Sequence, residues 1–123
     1  FSRVGFKDLC SYEEVVCKKG EPLKIEKEEG WGSVVYYDGV EFGCSNVKDW
    51  IVEYIKITGT QYRFGIWKVG VGTTRKKIES VYRHKIRWTT EKIIQVCEGE
   101  TWVKFEFDEN NLVKAVYIAI GWA

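Results

Sequence analysis

Two stretches of the chain align at an offset of 61 residues: Ile51-Val-Glu-Tyr-Ile-Lys-Ile-Thr58 and Leu112-Val-Lys-Ala-Val-Tyr-Ile-Ala119. Each follows a polar turn, Asn46-Val-Lys-Asp49 before the first and Asp108-Glu-Asn-Asn111 before the second. Ile51/Leu112, Ile55/Val116 and Ile57/Ile118 are the matched apolar pairs. Most fall at every second residue, which is the period of a pleated strand whose side chains alternate between two faces. One half of the chain therefore reads as a rough copy of the other, with internal repeats at about 1–60 and 61–123 inside a single domain of 123 residues. A chain of that length buries roughly two-thirds of its unfolded surface.

The rest of the chain divides on the same plan. Phe1 to Leu9 is an extended lead-in. Ser11-Tyr-Glu-Glu14 is a capping box, with a hydroxyl for the orphan N–H groups and a Glu three residues on. It opens a helix of about two turns, closed by Gly20 and Pro22. Leu23 to Glu29 is a strand, and Val34-Val-Tyr-Tyr37, Asp38-Gly39, Val40-Glu-Phe42 is a hairpin with an expected type I′ turn. The strand from Trp50 to Thr58 closes the first half. In the second, Thr73-Thr-Arg-Lys-Lys-Ile78 opens a short helix with Ile78, Val81 and Tyr82 on its apolar side. Ile93–Val96 and Trp102–Phe107 form a hairpin through Glu98-Gly99-Glu100, and Leu112 to Ile120 is the closing strand. Neither half can bury a sheet face alone. The expected fold is α+β: two repeats, each a short helix plus antiparallel strands, sharing one antiparallel sheet with the helices packed on one face.

Sorting the strands by face separates core from surface. The core-directed series is Ile51, Ile55, Ile57, then Leu112, Val116, Ile118, Ile120, and Val103, Phe105, Phe107. The opposite face carries Trp50, Tyr54, Lys56, Trp102, Lys104, Glu106 and Tyr117. With six Trp, seven Tyr and six Phe, the chain holds more aromatic surface than one small core needs. Large amphipathic rings among charges are the material of protein-binding hot spots. Trp50, Tyr54, Trp102, Lys104 and Tyr117 are the expected binding residues.

Charge adds a second candidate. Residues 1–61 carry 8 Lys/Arg against 11 Asp/Glu, net −3, and residues 62–123 carry 11 against 7, net +4. Arg75, Lys76, Lys77, Arg83, Lys85 and Arg87 concentrate the excess, with Tyr82 and Trp88 between them. This run reads either as a solvated helix face or as a patch for phosphates or an acidic partner. With net charge +1 overall, nucleic acid is not a general expectation.

Catalysis and cofactors find no support in the residues. His84 is the single histidine and lies among cations, so neither a nucleophile–base pair nor a zinc site can be assembled around it. The glycines of Val69-Gly-Val-Gly72 match neither phosphate-loop spacing. Glu13/Glu14 and Glu28/Glu29 are adjacent pairs that face water. No apolar run approaches the ~20 residues of a membrane span. The chain starts at Phe1 and contains no Met, as a processed or trimmed product would. Cys10 and Cys17 lie about 10 Å apart along the expected helix, beyond the ~7 Å that a disulfide allows. If oxidised, each is expected to reach Cys44 or Cys97; if the protein is cytosolic, all four stay reduced.

Ser11-Tyr-Glu-Glu-Val15, Gly20-Glu-Pro22 and the hairpin strands after them resemble a bacterial pattern: Gly-x-Ser/Thr-x-x-x-Val, then Gly-x-Pro, then a hairpin. The pattern belongs to the β-lactamase-inhibitor-protein-like fold, shared with the small outer-membrane assembly lipoproteins of the SmpA/OmlA group. The first half lacks the leading Gly. The second keeps Gly72-Thr-Thr74 and Ile78 in the Val place, but has Arg83 where Gly would stand and no Pro. The resemblance implies a secreted or lipid-anchored protein without catalysis, which grips a partner on a concave sheet. The expected function is thus non-enzymatic protein binding or inhibition by the open sheet face, outside the cytoplasm and with no cofactor or metal. The alternatives are a cytosolic immunity or antitoxin-like protein that blocks a toxin, and a binder of nucleic acid or an acidic ligand through residues 75–87.

Overall fold

The computed structural model describes residues 20–28, 32–45, 52–63, 67–98 and 101–120. Strand chemistry dominates them. The strands are β1 (Lys24–Glu28), β2 (Gly32–Tyr37), β3 (Val40–Ser45), β4 (Val52–Ile57), β5 (Ile86–Thr89), β6 (Ile93–Glu98), β7 (Thr101–Phe107) and β8 (Val113–Ile120). All eight join one sheet in the order β1-β2-β3-β4-β8-β7-β6-β5, and every pairing is antiparallel. Two four-strand meanders therefore meet at their last strands. There Ile55 lies opposite Ile118, and Ile57 opposite Val116.

This architecture corrects the expected fold class. The described chain is one eight-stranded antiparallel sheet with a single described helix, α1 (Arg75–Tyr82), and not an α+β pair of helix-plus-strand repeats. The helix expected from Ser11 lies outside the described residues, as do the lead-in before it, Ile51 and the turn at Gly99. The basic run, read as one helix face, breaks at Tyr82. Lys85 N donates to Tyr82 O at 2.7 Å and Cys97 N to Lys85 O at 3.1 Å, so the chain leaves the helix and joins the sheet as β5. Ile86, Trp88 and Thr89 are strand formers, and pairing with β6 outweighs the charges between them.

Local chemistry starts α1 where expected. Thr74 is its N-cap, accepting from Lys77 N at 3.2 Å. One residue earlier, Thr73 Oγ1 accepts from Gly70 N at 2.9 Å, and Val113 N donates to Thr73 O at 2.9 Å. The helix start is thereby tied to the start of β8. Ile78 and Tyr82 are buried and Val81 packs partly against them. They meet one face of the sheet, where Val35, Phe42, Ile55, Val103, Phe105 and Val116 are each at most 1% exposed. Alternation thus sorts the faces as expected, except at the start of β8. A register shift at Glu106/Phe107 brings Val113 opposite Phe107. Val113 is buried in the place assigned to Leu112, which is half-buried.

The hairpin at Asp38-Gly39 forms, but its turn is not type I′. Gly39 has φ +77°, whereas the only non-glycine positive φ values among the described residues are at Lys68 and Asn111. A positive φ at the second central residue alone is the type II pattern.

Candidate functional site

The face away from the core is built in rows, because residues paired across antiparallel strands stand about 5 Å apart on the same side. One row runs Tyr36, Glu41, Lys56, Tyr117, Lys104, Gln95, Trp88 across seven strands from β2 to β5. The next runs Gly43, Tyr54, Ala119, Trp102, Cys97. Tyr54, Lys56, Trp102, Lys104 and Tyr117 are all half-buried.

Small residues shape this face. Tyr54 lies over Gly43, and a Cβ built on that glycine would fall within the tyrosine ring. The ring therefore leans away from Ala119, on its other side. Ala119 contributes only a methyl group, so a hollow of about 190 Å³ opens, lined by Tyr54, Gln95, Trp102, Lys104, Tyr117 and Ala119 together with Val103 and Ile118. Beside it, Tyr117 carries two cations. Lys104 Nζ sits 4.7 Å and Lys56 Nζ 5.4 Å from its ring centroid. Such contacts stabilise by about 0.5–1 kcal/mol each where water reaches them.

Tyr54, Trp102, Lys104 and Tyr117, expected as binding residues from strand periodicity, thus come together around one hollow; Trp50 lies outside the described residues. Gln95 and Ala119 were not among the expected residues, since neither is conspicuous until strand neighbours are known. By sequence Trp88 belongs with the basic segment. Its pairing with Gln95 puts it on this face, 51% exposed.

The basic segment does not gather into one patch. Arg75 turns inward: its Nη1 and Nη2 donate to Glu91 O and Thr90 O, both at 2.9 Å, its Nε lies 3.5 Å from Glu79 Oε2, and it covers the Phe107 ring. Lys76, Lys77, Arg83, Lys85 and Arg87 are exposed along the helix, the turn and edge strand β5. Arg83 Nε donates to His84 Nε2 at 3.1 Å.

At the other edge of the same face, Tyr36 OH donates to Glu26 Oε2 at 3.0 Å, and Lys24 pairs with Glu26 while lying over the Tyr36 ring. Lys24, with help from the Tyr36 hydroxyl, holds the Glu26 carboxyl below its usual range. Burial first, and then the Glu26 hydrogen bond, push Tyr36 up to about 12. The neutral phenol is the form favoured by folding. Its contribution is complete below the ordinary tyrosine range near 10 and is lost as pH rises through about 12. In a tyrosinate absorbance titration, Tyr36→Phe is expected to remove one phenol from the latest phase. An unchanged late phase would place another tyrosine there.

No described helix is long and apolar enough to cross a membrane. No disulfide joins the described residues, which corrects the expectation of possible bridges as far as Cys44 and Cys97 are concerned; the pairings expected on oxidation run to Cys10 and Cys17, which lie outside the described residues.

No family model matches the chain, and no curated protein does. Solved structures do. An extracellular protein containing a SCP domain from Bacillus anthracis matches with a TM-score of 0.70 at 16% identity, over 89% of this chain and 43% of that one. A cysteine-rich secretory protein from Staphylococcus aureus matches at 0.60 and 12% identity, over 91% and 44%. A DUF4309 family protein from Bacillus subtilis matches at 0.57 and 16% identity, over 89% and 78%. The likeness is one of fold. The chain spans less than half the length of the first two proteins. These findings replace the resemblance to β-lactamase inhibitor proteins and SmpA/OmlA lipoproteins: the short turn and cap motifs that suggested it are common to many helix and hairpin starts.

Proposed function

We propose that this chain is a non-enzymatic binding module that holds a partner protein on the open face of its sheet, outside the cytoplasm. One observation carries the reading: Tyr54, Trp102 and Tyr117 converge with Lys104 around a hollow floored by Ala119. Rigid aromatic rings around a recess, with charge at the rim, are what a partner's anchor side chain fills. Placement outside the cytoplasm draws on two proteins that share the fold, one extracellular and one secretory.

The test pairs stability with binding. Trp102 is half-exposed, so Trp102→Ala is expected to leave the melting temperature nearly unchanged while weakening a partner captured from secreted and surface proteins by about 2 kcal/mol or more, roughly 30-fold. Equal capture by wild type and Trp102→Ala would end this reading, as would a variant that loses its fold instead of its partner.

A further inference from the structure

We propose that the face takes an acidic, extended segment of a partner protein, seating a carboxylate between Lys56 and Lys104 and an apolar side chain in the Ala119 hollow. This rests on the binding-face reading above and adds the chemistry of the ligand.

The lysines carry the argument. Both ammonium groups lie over one ring, 5.4 and 4.7 Å from its centroid, so they are no more than about 10 Å apart. Neither forms an ion pair among the described residues. Glu41 stands opposite Lys56 in register, yet the ammonium lies over Tyr117 without pairing to it. Glu106, two residues along β7 from Lys104, lies 3.9 Å from Lys114. Two like charges held over one ring, neither of them ion-paired among the described residues, repel each other and attract an anion. Both side chains are half-buried, which weakens screening by water and salt relative to fully exposed lysines.

The spacing of the two seats selects the kind of anion. The lysine row and the hollow are two residues apart on β8, at Tyr117 and Ala119, or about 7 Å at the usual strand rise. In an extended peptide, side chains i and i+2 point the same way at that same separation. An acidic residue two positions from an apolar one therefore fills both seats together. Gln95 lines the hollow with an amide that both donates and accepts, as a peptide backbone requires. A phosphate polymer would satisfy the lysines but has no apolar group for the recess.

Selection of displayed random peptides on the wild-type domain, followed by titration of the enriched peptides, tests this. The expected peptides carry Asp or Glu two residues from a large apolar residue. Lys56→Met with Lys104→Met should weaken them at least about tenfold, the effect of losing one charge-assisted contact. Changing the peptide's acid to its amide should cost the same and add nothing to the lysine variant. Lys56→Arg with Lys104→Arg should retain binding, which separates charge from folding. Enriched peptides that lack acids, or that ignore the lysine variants, overturn the carboxylate seat, and the binding face survives if Trp102→Ala still abolishes their binding. Peptides indifferent to both sets of variants, or no enriched peptide at all, overturn both readings. Lysine-dependent binding of polyphosphate, with none of acidic peptides, overturns the proposal in favour of a phosphate polymer.

Discussion

Phe105→Ala is expected to lower folding stability by about 3–5 kcal/mol, the usual cost of emptying a buried aromatic site. Phe105 is 0% exposed and lies between Val116 on β8 and Ile94 on β6. Its ring meets Tyr82 of α1 at 5.4 Å between centroids. The substitution removes sheet packing and the contact that seats the helix at once, and the rigid strands on either side cannot collapse into the space. Against a total stability of about 5–15 kcal/mol, the loss should be plain in urea denaturation. Lys104→Ala, one residue away on the opposite face, should cost no more than about 1 kcal/mol, the worth of its contact with the Tyr117 ring. Equal costs at the two positions would show the faces to be assigned the wrong way round.

Gly39→Val should cost more than about 2 kcal/mol, because two effects add: a β-branched residue in the left-handed region is strained by about 1–2 kcal/mol, and the new Cβ has no room. That Cβ would stand 2.8 Å from Gly59 Cα and 2.9 Å from Gln61 Nε2. The turn is also anchored at its backbone. Gly39 O accepts from Thr58 N and Gly59 N, both at 2.9 Å, and Asp38 O accepts from Gln61 Nε2 at 3.0 Å. Moving the turn to admit a side chain would break those bonds, which hold the β2–β3 hairpin to the segment after β4. Asp38→Asn keeps size and turn chemistry and should change the melting temperature little. Similar melting temperatures for the two variants would mean that the hairpin tip is not held against residues 58–61.

Much of this follows from local chemistry. Alternation in residues 52–57, 101–107 and 113–120 separates buried Ile55, Val103, Phe105 and Val116 from half-buried Tyr54, Trp102, Lys104 and Tyr117, because a strand's period is a property of its own backbone. The same holds for the cap at Thr74 and the positive φ at Gly39. The type of the Asp38-Gly39 turn did not follow, since the contacts with residues 58–61 bear on it from outside the hairpin.

What the sequence by itself determined is therefore the strands other than β5, and the apolar side of β4, β7 and β8 beyond the first residues of β8. Tertiary structure alone decided which strands are neighbours. Pairing β4 with β8 and β8 with β7 puts Ala119 between Tyr54 and Trp102, and Tyr117 between Lys56 and Lys104. The hollow and the shared ring exist only through those pairings. The same kind of decision drew residues 86–89 out of a basic run and into an edge strand, and turned Arg75 inward to the carbonyls of Thr90 and Glu91. Register between strands that lie about sixty residues apart in sequence is set by the fit of whole faces. No local pattern of residues records it.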